Sequence, residues 1–242
     1  MVNKFCYDGT LEGFLSVMDY CIEYKVMPVQ IIPEYRVVGT TDEHKFLRIP
    51  TNYKLADRIY RITGRHSSAE VQQMINDCFL TCLPDMEMDL FIMICKAIKY
   101  GAVIAEDYSD ELMRRIQFAI RDLYREAHSI LNSLNEVRID NVTYGIINPR
   151  NNVLPIIKRA ILNNPKFDDL LIYDKRHNIA LLRIGDNDSI LDLKRIIIGE
   201  IKNVDDLKSR VWFYFKETTN MPSKNVKGRR ADALTELWYI AS

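Results

Sequence analysis

Residues 110–134, DELMRRIQFAIRDLYREAHSILNSL, carry the clearest pattern in the chain. Their apolar side chains recur at steps of three and four, which is the spacing of one face of an α-helix. The apolar stripe consists of Leu112, Ile116, Ala119, Ile120, Leu123, Ala127, Ile130, Leu131 and Leu134. The opposite stripe is polar and largely basic, with Arg114, Gln117, Arg121, Arg125 and His128. The pattern therefore predicts a long helix with one buried face and one basic face.

The chain before this helix is predicted to be mostly helical. A short strand is expected at residues 2–7, and Thr10 is placed to cap the helix that follows it. An extended connector spans residues 27–49, and its short β-branched runs suggest a small hairpin. Three further helices are expected near residues 52–63, 67–82 and 85–100.

The first of these three helices carries a second basic stripe. Its members lie three or four residues apart: Lys54, Arg58, Arg61 and Arg65. Such a stripe is either a solvated face or a surface that pairs with successive phosphates of a nucleic acid.

After residue 134 the apolar pattern changes to that of strands. Two strands flank the turn pair Asp140-Asn141, and a second pair flanks a turn at residues 174–178. Short helices are expected at residues 153–162 and 204–218. We expect an α+β fold in one domain over residues 1–242, helical to about residue 134, with a small antiparallel sheet in residues 135–242.

Charge balance restricts how this chain could bind nucleic acid. Lys plus Arg and Asp plus Glu are equal at 33 each, so any such binding must come from local basic patches. The basic face of the long helix is one patch, and the turn with Lys175, Arg176 and His177 is another, although polar hairpin tips are also common. The third is a terminal arm with one acid, Glu217, and five bases: Lys216, Lys224, Lys227, Arg229 and Arg230. Trp212 and Phe213 before it are either packing residues or stacking surfaces for single-stranded nucleic acid.

His128 is the candidate catalytic residue. A histidine can gain or lose a proton near neutral pH, so it can serve as a general acid or base. The alternative is a surface histidine of the helix, or one that bonds a carbonyl of the adjoining hairpin. Glu126 lies nearly opposite His128 on the helix, so these two residues do not form a local dyad.

Several kinds of site have no sequence signature here. We find no Gly-rich phosphate loop, no HExxH and no GxSxG, and the Cys78/Cys82 pair has neither a third cysteine for an iron–sulfur cluster nor nearby ligands for a metal. We therefore expect no cofactor and no metal. No leader and no apolar run of spanning length is visible, so we expect a cytoplasmic protein without a membrane partner.

Five short stretches, in this order, resemble an uncharacterised bacterial family. They are YDGTLEGF at 7–14, REAH at 125–128, NVLP at 152–155, LIYDKR at 171–176 and LTELW at 234–238. That family is a domain of unknown function described as a DNA metabolism or DNA repair protein. Its members are typically encoded beside a radical SAM protein, and similar domains occur in front of a uracil-DNA glycosylase-like domain. The resemblance thus implies a DNA-repair context and a radical SAM partner.

Three hypotheses follow for function. The first is an accessory protein that binds DNA through the helix face and the terminal arm and presents it to a radical SAM enzyme. The second is an enzyme that acts on a damaged or modified base with His128 as acid or base. The third is a scaffold whose basic faces meet an acidic partner protein.

Overall fold

The structure, a computed structural model, describes residues 3–39, 41–134, 138–139, 142–161, 169–184, 187–193 and 206. The chain divides into two compact units, Met1–Asp122 and Leu123–Ser242. Helices accompany a small sheet in each unit, so the α+β class is confirmed. The single domain expected over residues 1–242 stays a prediction.

The first unit contains a parallel sheet of three strands in the order β2-β1-β3. The strands are β1 (Lys4–Tyr7), β2 (Gln30–Pro33) and β3 (Leu47–Arg48). The predicted connector therefore holds both outer strands. Because each connection returns the chain to the same end of the sheet, the outer strands lie parallel to β1 rather than forming a hairpin.

Helix α1 (Leu11–Glu23) begins as the sequence predicts. The Thr10 hydroxyl oxygen accepts a hydrogen bond from the Gly13 N–H at 3.0 Å, which satisfies one of the unpaired donors of the first turn. The apolar face of α1 is buried, with Phe14 and Met18 fully enclosed. Ile22, in the last turn of the helix, is 49% exposed.

The remaining helices of this unit confirm the predicted series. They are α2 (Tyr53–His66), α3 (Ala69–Phe79), α4 (Met86–Tyr100) and the start of α5 (Glu111–Ser133). Their apolar faces meet α1 and the sheet in one core that includes Leu90 and Ile94 of α4. Among the described residues, no helix is long and apolar enough to cross a membrane.

The second unit contains a sheet in the order β4-β5-β6-β7-β8. The strands are β4 (Arg138–Ile139), β5 (Val142–Ile147), β6 (Asp169–Asp174), β7 (Ile179–Ile184) and β8 (Asn187–Asp192). Both predicted hairpins form antiparallel pairs. However, β5 and β6 are parallel, since helix α6 (Leu154–Ile161) lies between them in the chain. The sheet in the C-terminal half is therefore mixed rather than wholly antiparallel.

Close packing at Gly145 joins the end of α5 to this sheet. A Cβ on Gly145 would lie 2.3 Å from a methyl carbon of Leu134, a side chain that is 6% exposed. Glycine at this position lets the last turn of α5 rest on β5. On β7, the buried Arg183 donates to the carbonyl of Ile161, at the C-terminus of α6.

Candidate functional site

Helix α5 has the two faces that its sequence predicts. Met113, Ile116, Leu123 and Ala127 are buried, whereas the four basic residues proposed for function are exposed: Arg114, Arg121, Arg125 and His128. The boundary between the two units falls within α5, so the first half of the helix is described with the first unit and the second half with the second.

The start of α5 is held by Asp110, the residue just before the helix. The Asp110 carboxylate accepts a hydrogen bond from the Met113 N–H at 3.1 Å and pairs with Lys96 of α4. The hydrogen bond from Lys96 lowers the pKa of Asp110 below its ordinary value. Downstream, the Gln117 amide donates to the Ala105 carbonyl at 2.8 Å. These bonds fix the face of α5 that carries Arg114 and Arg121.

A groove of about 530 Å³ lies along this part of α5 in the first unit. We call it the arginine groove and define it by six of its lining residues: Glu70, Tyr108, Arg114, Gln117, Phe118 and Arg121. The guanidinium carbon of Arg121 lies 4.5 Å from the centroid of the Phe118 ring. Phe118 is 53% exposed and Tyr108 is 67% exposed. Two arginines against one acid give the groove a basic character, and its aromatic rings are open to solvent.

Other arginines of the first unit form ion pairs with acidic side chains. Arg115 of α5 pairs with the buried Asp89. Of the adjacent Arg114 and Arg115, therefore, only Arg114 lines the arginine groove. In the α2 stripe, Arg58 bonds Asp19 and Arg61 bonds Asp57. Half of that stripe is therefore neutralised, which weakens its interpretation as a phosphate-binding surface.

His128 lines a separate pocket of about 230 Å³ in the second unit. The pocket lies between α5 and α6, and its lining includes Tyr124, Leu131, Ile156, Ile157 and Arg159. Its floor is apolar, and His128 and Arg159 are exposed. The pocket is small and open to solvent, with one proton-transfer group and one cation.

Glu126 has a role that the sequence analysis missed. Its carboxylate accepts hydrogen bonds from the Arg150 N–H at 2.8 Å, from the Asn151 N–H at 3.0 Å and from the Asn151 side-chain amide at 2.7 Å. Burial alone would raise the pKa of Glu126, but these three donors outweigh it and hold that pKa below its ordinary value. Glu126 thus anchors the loop that leads from β5 into α6.

The turn between β6 and β7 is organised around a fully buried carboxylate. Asp174 accepts hydrogen bonds from the N–H groups of Arg176, at 2.9 Å, and His177, at 3.1 Å. The Nδ1 atom of His177 lies 2.6 Å from Oδ2 of Asp174. Arg176 is exposed, as predicted for a basic hairpin tip, and Lys175 is half-buried. The His177 ring therefore lies against Asp174 and does not project from the hairpin tip.

The five basic residues of the predicted terminal arm lie outside the described residues. They are Lys216, Lys224, Lys227, Arg229 and Arg230. The predicted helix at residues 204–218 also lies outside them, apart from Asp206, which is helical. Their part in any site stays a prediction.

Comparisons with known proteins identify a family and no closer relative. No curated protein matches the chain, and no solved structure does so. Residues 84–238, more than half of the chain, match the sequence profile of one family, a domain of unknown function named DUF4130. This segment includes α4, α5 and the whole sheet of the second unit. The chain therefore belongs to the DUF4130 family.

Proposed function

We propose that this protein is a cytoplasmic accessory of DNA repair that binds single-stranded DNA and presents it to a radical SAM enzyme. The observation that carries the DNA-binding part is the arginine groove, where Arg121 lies over the half-exposed Phe118 ring beside Arg114. The repair context and the partner enzyme rest on the resemblance described above.

Single-stranded nucleic acid suits this groove for a physical reason. Proteins that bind single strands combine cations, which follow the phosphates, with aromatic rings, on which unpaired bases stack. Arg114 and Arg121 supply the cations, and Phe118 and Tyr108 supply exposed aromatic rings. In a duplex the base faces are covered by neighbouring pairs, so the rings would contribute much less to binding.

The groove is tested by fluorescence anisotropy with a labelled single strand and the matching duplex. We expect R114A/R121A to weaken single-strand binding strongly, and the double variant K54A/R65A, which removes two exposed cations from α2, to leave it unchanged. Loss of stacking in F118A should weaken binding by about 5- to 150-fold, and F118W should retain it. Equal effects of the two double variants would contradict the proposed groove.

A second candidate function is an enzyme that uses His128, and the solvent-open pocket around this residue favours it. In this account His128 transfers a proton and Arg159 holds an anionic group of the substrate. Turnover of a modified-base substrate in the presence of the radical SAM partner is the measurement, and His128→Ala should abolish it. Unchanged turnover in that variant would remove the hypothesis.

The third hypothesis, a protein scaffold, has its own outcome in these experiments. Co-purification with the radical SAM protein at high salt, together with no affinity for DNA, would favour the scaffold over both other functions.

A further inference from the structure

A second cleft in the first unit has the size and chemistry of a small-molecule site. Its volume is about 610 Å³, within the range of roughly 300–1,000 Å³ that is usual for ligand pockets. It lies between α1, α2 and the chain from β3 onward. We call it the Asp19 cleft, after Asp19, Tyr20, Glu23, Tyr24, Arg48 and Arg58, which contribute its polar and aromatic surface.

The cleft is lined by the second half of α1 and by the chain from β3 into α2. Strands β2 and β3 are parallel to β1, so α1 begins beside the carboxyl end of β1 and runs back toward its amino end, where Tyr20 packs against Phe5. The cleft-lining residues Ile49, Pro50 and Asn52 follow the carboxyl end of β3.

Asp19 provides a fixed hydrogen-bond acceptor in the cleft. The residue is 3% exposed, and its Oδ1 accepts hydrogen bonds from Arg58 Nε at 2.9 Å and from Arg58 Nη2 at 2.6 Å. No donor in the described part of the chain bonds the other oxygen, Oδ2. A carboxylate oxygen beside a guanidinium forms an acceptor next to a donor, an arrangement that complements the edge of a nucleobase.

Two tyrosines provide a stacking surface for a planar ligand. The rings of Tyr20 and Tyr24 lie 4.4 Å apart, and Tyr20 packs in turn against Phe5 of the core. Tyr24 is 63% exposed, so its ring is available to a ligand on a support that the core holds in place. Pre-ordered aromatic rings bind bases with little loss of conformational entropy.

The charges of the cleft indicate a neutral ligand. Its charged lining residues are two acids, Asp19 and Glu23, and two arginines, Arg48 and Arg58. Arg48 also pairs with Glu34 at 2.9 Å, and Arg58 is bound to Asp19. With these charges balanced, neither a polyanion nor a cation is favoured, whereas a planar, uncharged group with hydrogen-bond donors fits.

We propose that the Asp19 cleft binds one unpaired nucleobase with an exocyclic amino group beside a ring-nitrogen acceptor, that is, adenine or cytosine. The base stacks on Tyr24 and donates its amino N–H to Oδ2 of Asp19, while Arg58 donates to the ring nitrogen. This inference rests on the proposed function for the source of the base, a single strand held by the same unit. A free nucleoside presents the same chemistry.

The experiment compares nucleosides that differ at the amino group and at the adjacent ring nitrogen, by nuclear magnetic resonance titration of the full chain. Cytidine should bind more tightly than uridine, and adenosine more tightly than inosine, by about 5- to 150-fold, because a carbonyl in place of the amino group faces the carboxylate. Tyr24→Ala should weaken cytidine by a similar factor, since base stacking is lost, and Tyr24→Phe should not. Equal affinity for cytidine and uridine, or no effect of Tyr24→Ala, would overturn the proposal.

An Asp19→Asn variant separates recognition from a merely structural role. Asparagine keeps an oxygen for Arg58 and places an amide N–H₂ where Oδ2 was. The preference for cytidine over uridine should therefore be lost, because each base then has one matched contact and one donor facing a donor. Tyr24→Ala, at an exposed position, tests the same site without disturbing the ion pair. A folded Asp19→Asn variant that still prefers cytidine contradicts the assigned contact.

Two further arms identify the source of the base and keep this inference separate from the proposed function. If Tyr24→Ala also weakens binding of oligodeoxycytidine more than of oligodeoxythymidine, the base comes from DNA; if only free cytidine is affected, the ligand is a nucleoside. R114A/R121A should lose oligonucleotide binding and keep cytidine binding. Intact oligonucleotide binding with no response to any nucleoside overturns the Asp19 cleft alone.

Discussion

The carboxylates of Glu87, Asp174 and Glu126 are withdrawn from water to different degrees, and their partners decide what each contributes. Glu87 of α4 is 2% exposed and accepts one hydrogen bond from the Tyr7 hydroxyl, at 3.3 Å, with Arg36 3.9 Å away. Burial raises the pKa of Glu87, and it also raises the pKa of Tyr7. Asp174, by contrast, has two backbone donors and His177. At Glu87, Tyr7 and Arg36 do not fully offset the loss of hydration, so the ionised form of this carboxyl is unfavourable in the folded protein.

Glu87→Gln should stabilise the protein, and the gain should grow with pH. A carboxyl whose pKa is raised by folding ionises first in the unfolded chain, so ionisation costs stability above the ordinary value of 4.5. Glutamine removes that cost and keeps an acceptor for Tyr7. Urea unfolding at a series of pH values is the measurement, with Glu106→Gln at an exposed position as control. A difference in unfolding free energy between Glu87→Gln and the wild type that stays constant from acid to neutral pH would contradict this prediction.

Asp174→Ala should cost about 3 kcal/mol or more of unfolding free energy, because it leaves two backbone donors and His177 unpaired in a buried turn. Asp174→Asn, which keeps one acceptor for the backbone, should cost less. Arg176→Ala, an exposed change in the same turn, should stay within about 0.5 kcal/mol. The ranking of the three variants in chemical denaturation checks the account; similar values for Asp174→Ala and Arg176→Ala would contradict it.

Helix α5 makes both apolar and polar contacts with its surroundings. Its apolar face packs at Ile116 and Leu123, its end rests on Gly145, and Glu126 reaches the loop before α6. The hydrogen bonds from the loop to Glu126 are made outside the apolar face of α5. The helix therefore contacts its neighbours through polar groups as well as through apolar packing.

Glu126→Gln should destabilise the second unit by about 1–3 kcal/mol, because the new amide group faces donors instead of accepting from them. The hydrogen bonds keep the pKa of Glu126 below its ordinary value of 4.5, so its contribution is present above that pH and is lost as pH falls through the lowered value. The difference between wild type and variant should therefore shrink in acid. A difference that widens in acid would contradict the assigned bonds.

How far the sequence predicts these elements depends on whether the cause is local. The two faces of α5 and the Thr10 cap follow from residues within a few positions of each other, and both were predicted. Pairing of β2 and β3 with β1 is decided by where the connections lead the chain, which no short pattern records. The partners of Glu126 lie 24 and 25 residues away, and Arg58 lies 39 from Asp19, so neither contact had a sequence signal.

For the whole molecule, the equal numbers of acids and bases remain the main constraint on function. Many of the arginines of the first unit are paired with acids, which concentrates the available positive charge at a few places such as the arginine groove. Under the proposed function, the protein would contact only a small number of phosphates. Its affinity should therefore be moderate and should depend only weakly on salt.

The salt dependence of single-strand binding tests this account most directly. Each phosphate contact on a single strand contributes about −0.7 to the slope of log affinity against log salt, so R114A/R121A should reduce the magnitude of the slope by about 1.4. K54A/R65A should leave the slope of the wild type unchanged. A wild-type chain with no measurable affinity, or a slope that R114A/R121A does not alter, would contradict DNA binding through the arginine groove.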